Sequence, residues 1–332
     1  MNNLTEREII RVLAQQFNHK SRLPLGFSDD VSAIPLSSKA WLIVKADMLV
    51  ASTDVPPGMT TRELARKSIV ATVSDFAAKG VRPLALIASL GLPAPARATK
   101  IQELARGLGQ AAREYGCRII GGDTNRAEDL VIDIAGVGVA DPRKVVRRSG
   151  ARPGDIVGVT GSFGRSAAGL KILLSNRKNH PARYRSLINA VRHPKAQLST
   201  GIVLAKGGVT SSIDSSDGLA LSLHQIAQAS NVGIRLDTLP IAREVQDFAE
   251  EVGLSATDLA LYGGEEYELV VTASPSRFAA LKKRVRSLIE IGWVEPASRG
   301  LTVAIREKQL PIKERGWEHF PLTCRRRPLN RV

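Results

Sequence analysis

Several aspartates in this sequence occupy positions where an apolar residue or a plain turn residue would be ordinary. Asp47 interrupts the apolar run 41–50, and Asp75 interrupts the apolar run 68–78. Others lie in a turn, behind a glycine pair, or around a serine pair: Asp30, Asp123, Asp214 and Asp217. Because an ionised carboxylate buried alone costs several kcal/mol, such residues need a cation nearby. Carboxylates without histidine or cysteine partners suit hard cations, above all Mg²⁺.

Structural roles stay open for some of these aspartates. Asp217 would also suit the N-cap of a following helix, and Asp29 or Asp30 would suit an ordinary turn. For Asp47 and Asp75, which lie inside apolar runs, a metal or charged partner is the favoured interpretation.

The sequence offers no conventional catalytic base beside these carboxylates. The histidines lie outside the acidic motifs: His19, His180, His193, His224 and His319. GxSxG, HExxH and Walker A sequences are absent, which argues against a triad hydrolase, a zincin and a P-loop kinase. A reaction whose nucleophile is already an anionic oxygen needs no base, but it needs a metal to screen the repulsion between two anions.

Glycine-rich segments could supply phosphate-binding amides. The segments 121–124 and 160–164 both follow apparent strands, where backbone N–H groups can face phosphate oxygens. An ordinary glycine turn is the alternative for each, and for the turn 262–267.

The elements that must position these residues can be read from caps and periodicity. Capping boxes begin helices at Thr5 and Thr60, which end near Phe17 and residue 79. A third helix is predicted over 99–115. Strands are predicted over the following segments: 41–50, 84–90, 130–139, 156–160 and 267–272. The Pro- and Gly-containing segment 141–155 predicts a boundary between two lobes of mixed α/β or α+β structure.

Composition describes a globular chain with a basic surface. The 332 residues are 43% hydrophobic and 24% charged, with Lys+Arg 47, Asp+Glu 32 and a net charge of +15. That charge attracts polyanions, but aromatics are only 4% and no nucleic-acid-binding motif is present, so nucleic acid is disfavoured as the main partner. The two cysteines, Cys117 and Cys324, predict neither disulfides nor zinc. Without a signal sequence or membrane span, we expect a cytoplasmic protein.

Taken in order, the motifs identify a resemblance over about 28–320. The carriers are SDD (28–30), ADMLV (46–50), VSDFAAKGVRP (73–83), GGDT (121–124), RRSGARPGD (147–155), TGSFGRSAAGL (160–170), IDSSDGL (213–219), GGEEYEL (263–269) and RGWEHF (315–320). This set resembles the thiamine-monophosphate kinase family, within the superfamily of aminoimidazole-ribonucleotide synthetase.

The resemblance implies a two-lobed α/β (α+β) fold and a homodimer. Residues 1–143 would form an N-terminal lobe that binds ATP and Mg²⁺ and whose sheet forms the dimer. Residues 144–324 would form a C-terminal α/β lobe, followed by a basic tail, 325–332.

The resemblance also implies the site residues. The Mg²⁺ ligands would be Asp30, Ala46 (through its backbone carbonyl), Asp47, Asp75, Asp123, Asp214 and Asp217. ATP would contact Gly122, Asp123, Arg148 and Ser216. The substrate thiamine monophosphate would contact Asp54, Glu265 and Trp317. No general base is assigned. For Trp317, the functional interpretation is that it stacks on a cationic thiazolium, and the structural alternative is that it closes a C-terminal core.

Four positions depart from the family pattern: Lys45, Ala46, Asp54 and Glu266. Lys45 and Ala46 replace the usual Ser-Thr before Asp47, so a hydroxyl near the metal is lost. Lys45 should share a strand face with Asp47 and pair with that carboxylate or with phosphate. Asp54 stands where a histidine is common, and GGEEYE replaces GGEDYE.

The sequence therefore predicts an ATP- and Mg²⁺-dependent kinase that makes thiamine diphosphate from thiamine monophosphate by direct in-line transfer. One alternative is another ATP-dependent synthetase of the superfamily, such as an aminoimidazole-ribonucleotide synthetase. A basic nucleic-acid-binding protein is the alternative from a different class.

Overall fold

A computed structural model of the chain describes residues 4–17, 23–27, 29–175, 181–305 and 308–320. Ser28 of the SDD motif and the predicted basic tail, 325–332, lie outside the described residues. Two mixed sheets flanked by helices confirm the predicted two-lobed α/β (α+β) fold.

The N-terminal sheet has five strands in the order β1-β2-β5-β3-β4. Its strands are β1 (Ser32–Ser37), β2 (Ala40–Val50), β3 (Pro83–Leu92), β4 (Ile119–Arg126) and β5 (Val131–Ala140). The helices of this half are α1 (Glu6–Phe17), α2 (Ala51–Asp54), α3 (Thr61–Ala78) and α4 (Ala98–Glu114). The predicted helices near 5–17, 61–79 and 99–115 are therefore confirmed within two residues.

The C-terminal sheet has seven strands in the order β12-β11-β8-β10-β6-β9-β7. Its strands are β6 (Ile156–Val159), β7 (Ser211–Asp214), β8 (Val232–Leu236), β9 (Leu269–Ala273), β10 (Ile289–Pro296), β11 (Leu301–Ile305) and β12 (Lys308–Pro311). Its helices are α5 (Arg165–Leu173), α6 (Arg185–Arg192), α7 (Leu198–Lys206), α8 (Leu219–Ser230), α9 (Arg243–Val252), α10 (Ala256–Tyr262) and α11 (Pro275–Arg284).

Helix α3 joins the two halves and carries site residues at both ends of one face. It begins at a complete capping box, in which Thr60 Oγ1 accepts from Glu63 N at 3.3 Å and Thr60 N donates to Glu63 Oε2 at 2.7 Å. It packs on α4, β2 and β5 of the N-terminal half and on α7 and β7 of the C-terminal half. Val70, on α3, and Leu269, on β9, belong to one hydrophobic core. The helix is therefore a rigid base for side chains between the lobes.

The two faces of the N-terminal sheet differ in their cover. Ile43, Leu86 and Ile134 point toward α3 and are fully buried. On the opposite face the register aligns Ile34 with Leu42 and Val139, Met48 with Asp133, and Ile87 with Ala135. Four of these are unusually exposed for apolar side chains: Ile34 46%, Met48 62%, Ile87 38% and Val139 45%. In a single chain, this outer face exposes a group of apolar side chains to solvent.

The GGDT segment does not form the loop expected after a strand. It lies inside β4, where Gly122 pairs with Ala88 of β3. A Cβ at Gly122 would lie 1.8 Å from the carbonyl oxygen of Ala88, so close strand packing requires glycine there. Strand geometry, rather than a phosphate-binding turn, accounts for this glycine.

Among the helices of the described residues, none combines the length and the apolar character that crossing a bilayer would require.

Candidate active site between two cavities

A polar cavity of about 270 Å³ opens between β2 and α3 on one side and the β7–α8 loop on the other. Its lining brings together predicted residues from six separated segments. They are Asp47, Asp54, Asp75, Arg148, Asp214, Ser216, Asp217, Glu265 and Trp317. We call it the acidic cavity.

Three of the predicted metal ligands converge beside this cavity. Asp30 precedes β1, Asp75 lies in α3 and Asp214 ends β7. Each of the three offers a carboxylate oxygen within 4.8 Å of the others, and all three residues are buried. Strand ends and a packed helix hold these groups, so the cluster is formed without any loop having to close.

The carboxylates of the cluster have different electrostatic surroundings. Burial raises the pKa of Asp75 well above its usual value, with further increases from the charges of Asp47, Asp214 and Asp30, although Lys45 opposes them. Burial and the charge of Asp30 raise the pKa of Asp214 to about 6. Such a concentration of negative charge favours a bound cation.

Asp30 is the exception, because it is already paired. Lys79, whose side chain is fully buried, places Nζ 2.5 Å from carboxylate oxygens of both Asp29 and Asp30. The Arg148 guanidinium donates to Asp30 Oδ1, at 2.8 Å from Nε and 2.5 Å from Nη2. Burial alone would raise the pKa of Asp30, but Lys79 and Arg148 hold it below its usual value. Asp29 also has the structural role expected of a turn residue, since its Oδ1 accepts a hydrogen bond from the backbone N–H of Asp30.

Lys45 forms the predicted pair with Asp47 and adds a second partner. Its Nζ lies 3.1 Å from Asp47 Oδ1 and 2.8 Å from Asp75 Oδ2. The charges of Asp75 and Asp47 raise the pKa of Lys45 although its burial would lower it. In this chain an ammonium therefore bridges two predicted metal ligands.

The donor set fits Mg²⁺. The Oδ2 atoms of Asp47 and Asp214 are buried without a hydrogen-bond partner, and an orphaned carboxylate oxygen in an acidic cluster is suited to a hard divalent cation. In the described part of the chain, no histidine or cysteine joins the three clustered carboxylates, so the set favours Mg²⁺ over zinc.

The β7–α8 loop contributes the next group. Ser216 Oγ donates to Asp214 Oδ1 at 3.2 Å, and the carbonyl of Asp217 accepts from Trp317 N at 3.0 Å. Burial and the charge of Glu6 raise the pKa of Asp217 to about 6. Gly218, not Asp217, occupies the N-cap of α8, and the cap has no side-chain bond. The N-cap interpretation of Asp217 is wrong.

Four of the predicted site residues do not line the acidic cavity: Asp30, which lies beside it, and Ala46, Gly122 and Asp123. Asp123 and Gly122 lie in β4, three strands away from β2, which is roughly 14 Å at the usual strand spacing. By register, Asp123, Ser89, Asp133 and Met48 share the outer face. Ala46 lies in β2 beside Asp47, and its ligation through the carbonyl remains a prediction.

A second, more apolar cavity of about 490 Å³ adjoins the first. Leu170, Leu174, Leu259 and Tyr262 line it, and we call it the apolar cavity. The residues that line both cavities are Asp54, Lys67, Glu265 and Trp317. The three predicted substrate residues therefore lie together at the boundary. Trp317 is 44% exposed there, which excludes the interpretation that it closes a core.

Asp54 is held by backbone contacts at this boundary. Its Oδ2 accepts from Val50 N at 2.7 Å, and its Oδ1 lies 4.0 Å from His319 Nδ1. His319 lines the acidic cavity and stacks edge-on against Trp317, with ring centroids 6.2 Å apart. His319 lies outside the acidic motifs of the sequence, but the fold brings it to the acidic cavity.

Three further ionisable residues of the lining were not among the predicted site residues: Glu6, Lys67 and Tyr267. Glu6 accepts from the backbone N–H of His319 at 3.1 Å and so ties α1 to the C-terminal segment. Only the folded structure brings these distant segments together. Lys67 carried one local signal, since it lies eight residues before Asp75 and so on the same helix face.

The glycine-rich segment 160–164 binds a carboxylate of the chain itself. Glu266 Oε1 accepts from Gly164 N at 2.8 Å and from Ser166 N at 3.0 Å at the start of α5. The Gly164 amide therefore does not face a phosphate, and the Phe163 amide donates to the carbonyl of Pro240, whereas a phosphate-binding role of Gly161 and Ser162 stays a prediction. Burial nevertheless raises the pKa of Glu266 to about 7.

This buried glutamate predicts a pH dependence of stability. Since the folded pKa of about 7 exceeds the ordinary value of 4.5, the contribution of Glu266 is full below pH 4.5 and is lost as the pH rises through 7. Glu266→Gln should therefore gain stability relative to wild type between pH 5 and pH 8, by up to about 3 kcal/mol. Urea unfolding at both pH values, in EDTA, measures this. Parallel pH profiles for the two proteins would contradict it, and the exposed Glu250→Gln is the control.

Comparisons with known proteins agree with this geometry. The model of "AIR synthase related protein, N-terminal domain" matches residues 28–140, and that of the C-terminal domain matches 152–304. The thiamine-monophosphate kinase of Nitrosopumilus maritimus is 39% identical, covering 96% of this chain and 100% of the relative. That of Pyrococcus horikoshii is 34% identical, covering 96% and 97%.

A solved structure described as AaThiL complexed with AMPPCP and TMP superposes with a TM-score of 0.85 at 29% identity, covering 96% of this chain and 97% of that one. Hydrogenase maturation protein HypE, at 20% identity, shares the fold alone. The two domain models, the near-full-length relatives and the folded cluster agree, and the chain belongs to the thiamine-monophosphate kinase family of AIR synthase related proteins.

Proposed function

We propose that this protein is an ATP-dependent kinase that converts thiamine monophosphate to thiamine diphosphate for thiamine diphosphate biosynthesis. The observation that carries the proposal is the meeting of two cavities: an acidic one suited to metal and nucleotide, and an apolar one that shares Trp317 and Glu265 with it. AMPPCP and TMP in the related AaThiL complex support the same pair of substrates.

Mg²⁺ would be held by Asp30, Asp47, Asp75 and Asp214, and a further ion by Asp217. When bound, it supplies the positive charge that screens two polyanions and the transferred phosphoryl group. The chain contributes rigid placement, since Asp75 projects from a helix packed on both lobes. Arg148 lines the cavity while anchored to Asp30, which suits it to bind ATP phosphates. Ser216, beside Asp217, would also contact ATP.

The transfer itself asks little of side chains. A phosphate oxygen of thiamine monophosphate attacks the γ-phosphorus in line, forming the new P–O bond while the bond to ADP breaks. The acceptor oxygen is already an anion, so no general base is assigned.

The thiamine end would occupy the apolar cavity. The exposed face of Trp317 can stack on the cationic thiazolium, and the carboxylates of Glu265 and Asp54 lie at the same boundary. We assign the metal site mainly to the N-terminal lobe, 1–143, and the thiamine pocket mainly to the C-terminal lobe, 144–324.

A direct assay tests the proposal. The protein is incubated with ATP, Mg²⁺ and thiamine monophosphate, and thiamine diphosphate and ADP are quantified by chromatography. We expect the two products in a 1:1 ratio and complete loss of both in EDTA. ADP formation without thiamine diphosphate would overturn the assignment.

We also propose a homodimer formed through the outer face of the N-terminal sheet. An uncovered apolar sheet face is a common protein-association surface, and two such faces can pack as a sandwich. In this dimer the predicted ligand Asp123, which lies on the outer face, would be at the subunit interface.

Val139→Lys should convert the dimer to a monomer. The substitution places a charge at the centre of an apolar contact, yet Val139 is 45% exposed in one chain, so the subunit fold should persist. Light scattering after gel filtration measures the mass. The control is Val252→Lys, a valine of similar exposure (42%) on α9. A Val139→Lys protein that remains dimeric would exclude this face.

A further inference from the structure

A lysine between the two cavities has no role in the site derived so far. Lys67 lies on α3 on the same face as Ala71 and Asp75, at spacings of four and eight residues. Eight residues along a helix correspond to about 12 Å. The face thus presents a carboxylate in the metal cluster, a small residue as the cavity floor, and an ammonium at the boundary with the apolar cavity.

The ammonium of Lys67 is buried and held by two oxygens. Nζ lies 2.5 Å from Glu265 Oε1 and 2.6 Å from the backbone carbonyl oxygen of Asp54, and the side chain is only 5% exposed. Glu265, the carboxylate partner of Lys67, has a backbone φ of +63°, which is an unusual value for a residue other than glycine. An ammonium has three N–H donors, and the described residues provide two acceptors.

Lys45 and Arg148 differ from Lys67 in position, because they pair with predicted metal ligands, whereas Lys67 pairs with Glu265 at the boundary of the two cavities. Lys45 bridges Asp47 and Asp75, and Arg148 is bound to Asp30. At the boundary itself, the carboxylates of Asp54 and Glu265 would repel an anionic group entering from the apolar cavity. Of the four residues that line both cavities, Lys67 is the one with a positively charged side chain.

We propose that Lys67 binds the phosphate group of the acceptor and so selects thiamine monophosphate over thiamine. The phosphate monoester takes the place of the Glu265 carboxylate on Nζ, which frees Glu265 for the thiamine end. Lysine acts on phosphate as a compact point charge, and one pairing at a buried site is strong enough to discriminate between ligands. The inference rests on the proposed kinase function, because it assigns the acceptor to the boundary of the two cavities.

Binding of two ligands that differ by one phosphate tests this role. Titration calorimetry with Mg²⁺ present gives the dissociation constants of thiamine monophosphate, thiamine and AMPPCP for wild type, Lys67→Met, Lys67→Gln and Lys67→Arg. We expect both neutral variants to bind thiamine monophosphate about 10- to 100-fold more weakly, with thiamine affinity changed less than about twofold. Lys67→Arg should retain most of the preference. Lys206→Met, an exposed lysine on α7, is the control for loss of charge.

Two outcomes overturn the role of Lys67. Equal weakening of both ligands would mean that Lys67 only supports the pocket, and weakening of AMPPCP alone would place Lys67 on the nucleotide. Circular dichroism identifies any variant that fails to fold, and the two neutral substitutions give independent measurements. Failure of the proposed function gives a different result, since wild type would then show neither binding of thiamine monophosphate nor formation of thiamine diphosphate.

Discussion

Replacing Asp75 with asparagine should lower the rate of phosphoryl transfer by about 100- to 1000-fold without unfolding the protein. Asp75 is buried, beside Asp30 and Asp214, on a helix that both lobes hold in place. Asparagine has nearly the same shape, so packing is preserved, but the negative charge that a metal ion requires is lost. The kinase assay with saturating Mg²⁺ measures the rate.

The same substitution should have the opposite effect on stability without metal. Burial raises the pKa of Asp75, so the folded state disfavours its ionised form, and a neutral side chain removes that cost at neutral pH. We expect the thermal midpoint in EDTA to be unchanged or higher, and the increase produced by Mg²⁺ to be smaller than in wild type. Asp247→Asn, on the exposed surface of α9, is the control. Normal turnover by Asp75→Asn would reduce Asp75 to a structural carboxylate.

Helix α3 illustrates what the sequence could predict. Its boundaries follow from local chemistry, since Thr60 and Glu63 form a capping box whatever the rest of the chain does. The need of Asp75 for a charged partner is equally predictable, because burying a carboxylate in an apolar helical run costs free energy unless a cation lies nearby. Features whose cause lies within a few residues are therefore predictable from one sequence.

The glycine segments illustrate what the sequence could not predict. Gly122 in GGDT serves the close approach of β4 to β3, and the amide of Gly164 at the end of segment 160–164 donates to Glu266, about a hundred residues away. A glycine-rich pattern is the same whether its amides face a ligand or a glutamate of the chain itself. The decision depends on tertiary structure, which also brought Glu6 and His319 to the cavity.

Lys45 lies between these cases. Its pairing with Asp47 follows from the two-residue repeat of a strand, whereas its contact with Asp75 requires β2 to pack on α3. The usual residues of the family at positions 45 and 46 have hydroxyl side chains, so the family resemblance predicts neither of these contacts. The ammonium of Lys45 thus lies among the predicted metal ligands, and its contact with Asp75 could be found only from the folded structure.

The largest expected difference between substrates concerns the acceptor. With Mg²⁺ and γ-labelled ATP, label should reach thiamine diphosphate from thiamine monophosphate, whereas free thiamine and formylglycinamidine ribonucleotide should remain essentially unlabelled. The monoester brings an anionic oxygen, but the thiamine hydroxyl has a high pKa and must lose its proton during attack. A positioned general base typically increases the reaction rate by about 10²- to 10⁴-fold, and no residue of the site is assigned as a general base.

His319 makes this prediction demanding. It lies at the acidic cavity with Nδ1 4.0 Å from Asp54 Oδ1, so an imidazole and a carboxylate are within reach of the acceptor. If this pair acted as a base, free thiamine would be labelled efficiently and His319→Gln would abolish that labelling alone. If it does not, His319→Gln should leave transfer to thiamine monophosphate within about tenfold of wild type, because an acceptor that is already anionic gains little from a base. Ribonucleotide-dependent release of the label as inorganic phosphate would instead move the chain to the synthetase branch of the superfamily, because ring closure expels the transferred phosphoryl group. The metal cluster would be unchanged and the apolar cavity reassigned.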